Sequence, residues 1–343
     1  MRASQCASWS DGAMKRRDFL GLTLMAAASS SLPRIVYAQS AANSKLPKTA
    51  KDAPKHRFPI IDVHMHCYPA DEILPSLPSP ATGKVTGLKN GEAHLQACLA
   101  EMDRFNIVQG IVSGGSGDRL GAAMHWHDAA PNRLIAAAGV RGSEDTPLPD
   151  LGILRKAFQE GRLRVLGEVT AQYAGLSLSD APYEPYLALA EELDIPVALH
   201  TGMGPAGTSY DPCCRGFRAR LGNPALIEEV LNRHPKLRVN LMHASWPYLE
   251  EVLALMTVYP QVNADLGALG WGLPRAEFNA YLGALVRAGF GKRVMFGSDH
   301  MYWPELIGMS VEAVDSAAFL TPSEKRDIFY ENAVRFYRLA KLG

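Results

Sequence analysis

A barrel of eight parallel strands, each followed by a helix, is the fold this 343-residue chain predicts. Three observations predict it. Eight short apolar runs rich in Val, Ile and Leu recur between residues 59 and 298, without the polar alternation of a half-exposed sheet. Amphipathic, helix-like stretches separate them. Ionisable residues stand at the C-terminal ends of several runs, which is where a (β/α)8 barrel keeps its chemistry. A doubly wound open sheet is the alternative. No G-x-G-x-x-G follows the first run, which weakens the dinucleotide-binding version of that fold.

In chain order the runs are Pro59 to His66, Ile107 to Ser113, Arg133 to Val140, Arg162 to Thr170, Ile195 to His200, Leu237 to His243, Gln261 to Leu266 and Arg293 to Ser298. A helix is expected from about Glu92 in EAHLQACLAEMDRF, and another in YEPYLALAEELD. NPALIEEVLNRHP opens with Asn223 as N-cap and Pro224 at the first helical position. WPYLEEVLALMTVYP and RAEFNAYLGALVRAGF follow. The last helix begins at Thr321, with Pro322 behind it and Glu324 three positions on, a capping box.

The N-terminus reads differently. Residues 1–38 have a basic start, a short apolar stretch from Phe19 to Ala28 and a small-residue end at Val36-Tyr37-Ala38. The stretch is too short to span a bilayer. Arg16-Arg17-Asp18-Phe19-Leu20 resembles a twin-arginine export signal, although Lys15 replaces the Ser or Thr often found before the pair. Met14 is a second candidate start. The expectation is a protein exported to the periplasm or secreted, with no stable membrane anchor. Residues 39–57 are polar, Lys-rich and Pro-punctuated, as a disordered linker would be, and the barrel is expected over 58–343.

Composition excludes some partners. The chain is 47% hydrophobic and 20% charged, with 35 basic and 35 acidic residues. Cleavage after Ala38 would remove five Lys/Arg and two acids, leaving 30 against 33. Nothing points to nucleic acid. The five cysteines form no C-x-x-C spacing. Cys6 leaves with the leader, and Cys67, Cys98, Cys213 and Cys214 are expected as free thiols, because adjacent cysteines rarely close a ring without strain.

The stretch IIDVHMHC ends the first run with two histidines. On a regular strand Ile60, Asp62, His64 and His66 share one face, and Ile61, Val63 and Met65 the other, the latter suited to packing on helices. Glu168 comes late in the fourth run, His200 ends the fifth, His243 ends the sixth, and Asp299 follows the eighth. An H-x-H pair is common by chance, and a lone His at a strand end is more often a plain hydrogen-bonder. Agreement across independent strands outweighs those readings. Rolled into a barrel, the six residues meet at one mouth, and imidazole with carboxylate suits Zn, Mn, Fe or Ni better than Ca.

The combination of Asp62-Val-His64-Met-His66, Gly167-Glu168, Pro196-Val-Ala-Leu-His200-Thr-Gly202, His243, Gly297-Ser-Asp299 and Asn332-Ala-Val-Arg335 resembles the amidohydrolase superfamily, in its amidohydrolase-related branch, over about Phe58 to Leu342. The resemblance implies that His64, His66, His200 and Asp299 bind one divalent metal, zinc first. It implies that His243 is a ligand to a second metal or an acid/base, and that Glu168 is of the type that bridges two metals. It further implies a small-molecule substrate and a homodimer. The family holds hydrolases that activate water, and lyases resembling aminocarboxymuconate-semialdehyde and resorcylate decarboxylases. Glu168 favours a hydrolase of a lactone, ester or amide, with Asp299 as the base and His243 steadying the oxyanion. A zinc-dependent decarboxylase is the alternative. A metal-free lactone hydrolase and a non-catalytic binding protein are further readings, which metal content would separate.

His125 and His127 repeat the H-x-H spacing within a helix, where i and i+2 do not face each other. His56 falls in the linker, and His94 and His234 in helices. Substrate walls are expected from Tyr173, from His300 beside Asp299, and from the Gly-rich loop Thr201 to Gly222, which carries Tyr210, Arg215, Arg218 and Arg220.

Overall fold

All eight runs become strands. The structure, a computed structural model, describes residues 56–115 and 118–341. The expected export signal and most of the expected linker lie outside the described residues. The strands are β1 Ile60–Cys67, β2 Ile107–Gly114, β3 Leu134–Val140, β4 Val165–Val169, β5 Val197–Leu199, β6 Val239–Leu241, β7 Val262–Asp265 and β8 Val294–Met295. They pair in parallel in sequential order, β1 to β8. A doubly wound sheet would reverse direction at a switch point, so that alternative is excluded. The ring is drawn together by backbone bonds from Val63 N to the Phe296 carbonyl, at 3.0 Å, and from Asp299 N to the His64 carbonyl, at 2.7 Å.

The helices are α1 Gly91–Phe105, α2 Arg119–Ala129, α3 Leu151–Gln159, α4 Glu184–Glu192, α5 Glu228–Arg233, α6 Leu249–Val258, α7 Leu269–Gly272, α8 Arg275–Leu285, α9 Glu305–Asp315, α10 Pro322–Arg326 and α11 Asn332–Tyr337. The Asn90 side chain caps α1 by accepting from Ala93 N. Asn223 does accept from Ala225 N, but the turn it opens, Pro224–Ile227, is 3-10 before α5 begins. At α10 both halves of the Thr321–Glu324 capping box are present, worth about 1 kcal/mol.

The apolar residues divide into two layers. Ile61, Val63, Ile111, Ile135, Ala137, Val165, Ala198, Met242 and Met295 fill the barrel and meet Tyr330, Val334, Phe336 and Tyr337 of the C-terminal segment, which closes one end. Ile60, Met65, Cys67 and Val112 belong instead to the layer beneath the helices. This corrects the face assignment for β1. Asp62 pairs with Gly110 and Met65 with Val112, three residues against two, so β1 carries a bulge between them. The extra residue shifts the alternation. Val63 stays in the barrel, and the phase then resets so that Met65 and Cys67 point outward while His64 and His66 enter the mouth. Asp62 does not join them. Its Oδ1 accepts from the backbone N–H groups of His64, at 3.1 Å, and Ser298, at 2.9 Å, tying β1 to the exit of β8.

His56, at the end of the expected linker, is held against the barrel. His56 Nε2 meets Asp315 Oδ2 at 2.9 Å, and its ring lies 4.7 Å from that of Phe329. Burial opposes protonation of His56, but Asp315 outweighs it and raises the pKa above the ordinary 6.5. A raised folded-state pKa gives stability that is fully present below the unfolded value and lost as pH rises through the folded one. Asp315→Asn should therefore remove part of the loss of stability on going from slightly acid to alkaline pH. Denaturant unfolding of both proteins at a series of pH values checks this, and parallel curves would contradict it.

Candidate metal centre

Six buried side chains from five strand exits converge on one cluster. His66 Nε2 lies 2.9 Å from Asp299 Oδ1, and His64 Nε2 lies 3.6 Å from the same oxygen. Glu168 sits between two groups of imidazoles. Its Oε2 is 3.5 Å from His66 Nε2 and 4.0 Å from His64 Nε2. Its Oε1 accepts from His200 Nδ1 at 2.7 Å and stands 3.8 Å from His243 Nε2. Two sets of three donors, His64/His66/Asp299 and His64/Glu168/His243, each lie within 4.8 Å of one another. They share His64, so they form one continuous nest of donors. His200 falls outside both sets, joined to them through Glu168 and by a 3.1 Å approach to His243 Nε2.

The backbone is bent to reach this arrangement. His243, Ala244 and Ser245 at the exit of β6, and Asp299 and Met301 after β8, all have φ between 41° and 59°. Non-glycine residues seldom adopt this left-handed region, and such conformations cost on the order of 1–3 kcal/mol each. The surrounding barrel has to hold them in place.

Asp265, the last residue of β7, joins the site although it was not among the residues expected there. Its Oδ1 takes His64 Nδ1 at 3.3 Å and the backbone N–H groups of His243, at 3.2 Å, and Gly267, at 2.8 Å. Its Oδ2 takes the Asn240 amide at 2.7 Å. A carboxylate only accepts, so His64 donates from Nδ1 and Nε2 is the nitrogen that faces the cluster, where a cation would displace any proton it carries. The Gly267 carbonyl does the same for His243, accepting from Nδ1 at 2.9 Å. The signal was available, because VNADLG ends a run with an acid as the other site strands do.

The nest fits a divalent cation on its own evidence. His64 Nε2 and His200 Nε2 are buried and make no hydrogen bond among the described residues, and Asp299 Oδ1 has only the imidazole of His66 close by. Unsatisfied buried atoms of this kind call for an ion or another partner. Burial opposes a charge on His64, yet Asp299, Asp265 and Glu168 outweigh it and push its pKa up to about 10. Burial also opposes charge on Glu168 and Asp299. The histidines around them win, and both carboxyls are held below their usual range. Three ionised carboxylates thus surround imidazole nitrogens in a site that favours positive charge.

A family model described as "Amidohydrolase" matches residues 61–339. The chain belongs to the amidohydrolase family. The Emericella nidulans protein fluG is 24% identical over 159 residues, 42% of this chain, and the chain spans only 17% of that relative's length. Among solved structures, a probable 2-pyrone-4,6-dicarboxylic acid hydrolase from Acinetobacter baumannii, with citric acid bound, superposes with a TM-score of 0.57 at 16% identity, covering 82% of this chain and 99% of that one. A 2,6-dihydroxybenzoate decarboxylase from Rhizobium gives 0.55 at 14% identity, covering 82% and 99%.

Around this amidohydrolase centre the expected walls hold in part. The Tyr173 ring stands edge-on to His200, centroids 4.9 Å apart, and to Phe217 at 5.1 Å. Tyr210 is corrected: it stands 89% exposed. Arg218 is corrected too, since its Nη1 donates to the Arg215 and Phe217 carbonyls of its own loop. His300 does not line the mouth. It is fully buried and turned toward Cys98. The expectation of four free thiols is also overturned. Cys213 and Cys214 are disulfide-bonded in a tight turn capped by Asp211, while Cys67 and Cys98 are free. That turn belongs to the loop after β5, whose ends are zipped by Gly202 N to the Gly222 carbonyl at 2.8 Å. A Cβ at Gly222 would lie 2.0 Å from the Gly202 oxygen, so only glycine fits there.

The histidines set aside in the sequence are otherwise engaged. His125 Nε2 pairs with Glu92 and His127 Nδ1 donates to the Leu134 carbonyl, in different directions. His234, just beyond α5, bridges Glu184 and Glu191. Two other arginines lie near the centre, Arg119 acting electrostatically on Glu168 and Arg141 lying over the Tyr173 ring that meets His200. Arg119, at the start of α2, has no hydrogen bond or ion pair among the described residues, and burial, with Arg141 nearby, draws its pKa down to about 10. Arg141 stacks over Tyr173 at 5.3 Å and reaches Thr170 Oγ1 and Cys214 Sγ, but no carboxylate among the described residues.

Proposed function

We propose that this amidohydrolase is a metal-dependent hydrolase of a small, anionic carbonyl compound: a lactone, ester or amide. The observation that carries this reading is Glu168, one carboxylate whose two oxygens face the His66/His64 pair and the His200/His243 pair. When bound, a divalent cation, zinc by donor type, supplies Lewis acidity that polarises a carbonyl and makes water acidic near neutral pH. His64, His66, His200, Asp299, Glu168 and His243 would hold it, and the Nδ1–H of His200 also fixes Glu168. Asp299 is kept ionised by the surrounding histidines and so accepts the proton of the attacking water, then returns it to the leaving group. His243 is fixed by the Gly267 carbonyl, which aims its Nε2 into the cluster as a donor to the cation. Turnover in isotopically labelled water tests the reaction type, because hydrolysis places the labelled oxygen in the new acid.

The anionic substrate follows from Arg119 and Arg141. Two cations that make no ion pair with a carboxylate among the described residues, one of them acting electrostatically on Glu168, are placed to receive a negatively charged ligand. Arg119→Met should raise KM for a carboxylate-bearing substrate by ~10- to 100-fold, the worth of one charged hydrogen bond, with a smaller effect on kcat. An unchanged KM would remove Arg119 from the substrate site.

We also propose export through the twin-arginine route. The motive is Arg16-Arg17 ahead of a short apolar stretch. Arg16→Lys with Arg17→Lys should leave the protein in the cytoplasm. Undiminished periplasmic yield would mean that another route reads the leader.

A further inference from the structure

Behind the Asp299 turn lies a second cluster that the hydrolase reading does not use. His94 and Cys98 are four residues apart on α1 and so share one helix face. His300 comes from the exit of β8. All three are fully buried. The Cys98 sulfur lies 3.7 Å from His300 Nε2, and 3.8 and 3.9 Å from the two ring nitrogens of His94. For comparison, Zn–S of about 2.3 Å and Zn–N of about 2.0 Å place tetrahedral ligand atoms roughly 3.6 Å apart.

The hydrogen bonding around His300 decides which atom faces the thiol. Its Nδ1 lies 3.0 Å from the Met301 carbonyl, which can only accept, so the proton is on Nδ1 and Nε2 presents a lone pair to Cys98. A backbone carbonyl that fixes the tautomer of a ring is the usual support behind a metal-bound histidine. The thiol has one proton and can satisfy only one ring nitrogen. The rings of Tyr68 and Trp126, also buried, stand 5.2 and 5.6 Å from His94 and keep the cluster dry. Asp62 Oδ2 is buried and makes no hydrogen bond among the described residues, and the Asp62 carboxyl bears electrostatically on Cys98, favouring its protonated form while no cation is bound.

We propose that His94, Cys98 and His300 form a second, closed site for a soft divalent cation, zinc by its donor set, distinct from the His64/His66 nest. Binding replaces the thiol proton: the Cys98 sulfur bonds the cation and one proton leaves to solvent, with no redox change. Such an ion clamps α1 to the turn that carries Asp299, so it supports the neighbouring centre without touching substrate. The proposal does not depend on whether the reaction is hydrolysis.

Cobalt substitution reads this site apart from activity. The full chain is loaded with Co2+ without reductant, so that the Cys213–Cys214 bond stays closed. A near-ultraviolet thiolate-to-cobalt charge-transfer band is expected. It should persist in Cys67→Ser and in His64→Ala/His66→Ala, and vanish in Cys98→Ser together with about one equivalent of metal. X-ray absorption of the zinc-loaded wild type needs no variant and should show a sulfur shell at about 2.3 Å. Absence of both the band and the sulfur shell in the wild type would overturn the site and leave a thiol–imidazole hydrogen-bond cluster.

Discussion

His64→Ala combined with His66→Ala is expected to yield a folded barrel that has lost the metal of the mouth and nearly all activity. His64 is the donor shared by both sets of three, and His66 makes the 2.9 Å approach to Asp299. Without them Asp299 and Glu168 remain with fewer nitrogens beside them to bind the ion. Lewis-acid stabilisation is worth several kcal/mol, so the loss in kcat/KM should be about a thousandfold or more. The fold should survive, because the apolar barrel filling of Val63, Ile111, Val165 and Met242 is untouched. Metal analysis and circular dichroism of the purified variant check both halves. Full occupancy of a site binding through nitrogen and oxygen alone would sink the assignment of β1 as the anchor of the centre.

The strands, their order and the mouth residues could be read because they rest on local pattern. Each parallel strand is buried on both faces, so it is a continuous apolar run, and a polar residue at its end is conspicuous. What could not be read depends on contacts between distant residues. The β1 bulge is set by pairing with β2, and without it strict alternation places Val63 under the helices. Asp265 carried the same local signal as Glu168, but its role as the partner of His64 is a contact across 201 positions. His94 and Cys98 look like ordinary helix residues until His300 is brought against them from 202 positions after Cys98. Arg119 is a helix-start residue in sequence. Only packing shows that its guanidinium lacks a carboxylate partner among the described residues. Arg218 and Tyr210 attracted attention because a long Gly-rich loop often lines a site. Here the loop satisfies Arg218 with its own carbonyls and leaves Tyr210 in solvent.

Glu168→Gln is the substitution expected to separate hydrolysis from decarboxylation. Glutamine keeps the size and one acceptor oxygen but removes the charge. In the native site Glu168 takes the proton of His200 Nδ1 on one oxygen and faces His66 and His64 with the other. The amide can still accept from His200. It then turns an NH2 group toward His66 and His64, which offers a donor where the cluster needs an anion. A hydrolase depends on that anion to hold the cation and align the attacking water, so its rate should fall by at least ~100-fold. A decarboxylase needs the cation to grip a carboxylate and an acid to deliver a proton to carbon. It has no step that calls on a carboxylate spanning both imidazole pairs, and should keep most of its rate. The measurement is turnover of lactones, esters, amides and aromatic acids by wild type and variant in labelled water. Labelled acid from the wild type, strongly reduced in Glu168→Gln, is the expected result. Carbon dioxide released at an undiminished rate by the variant would instead make Glu168 a buried structural carboxylate in a lyase.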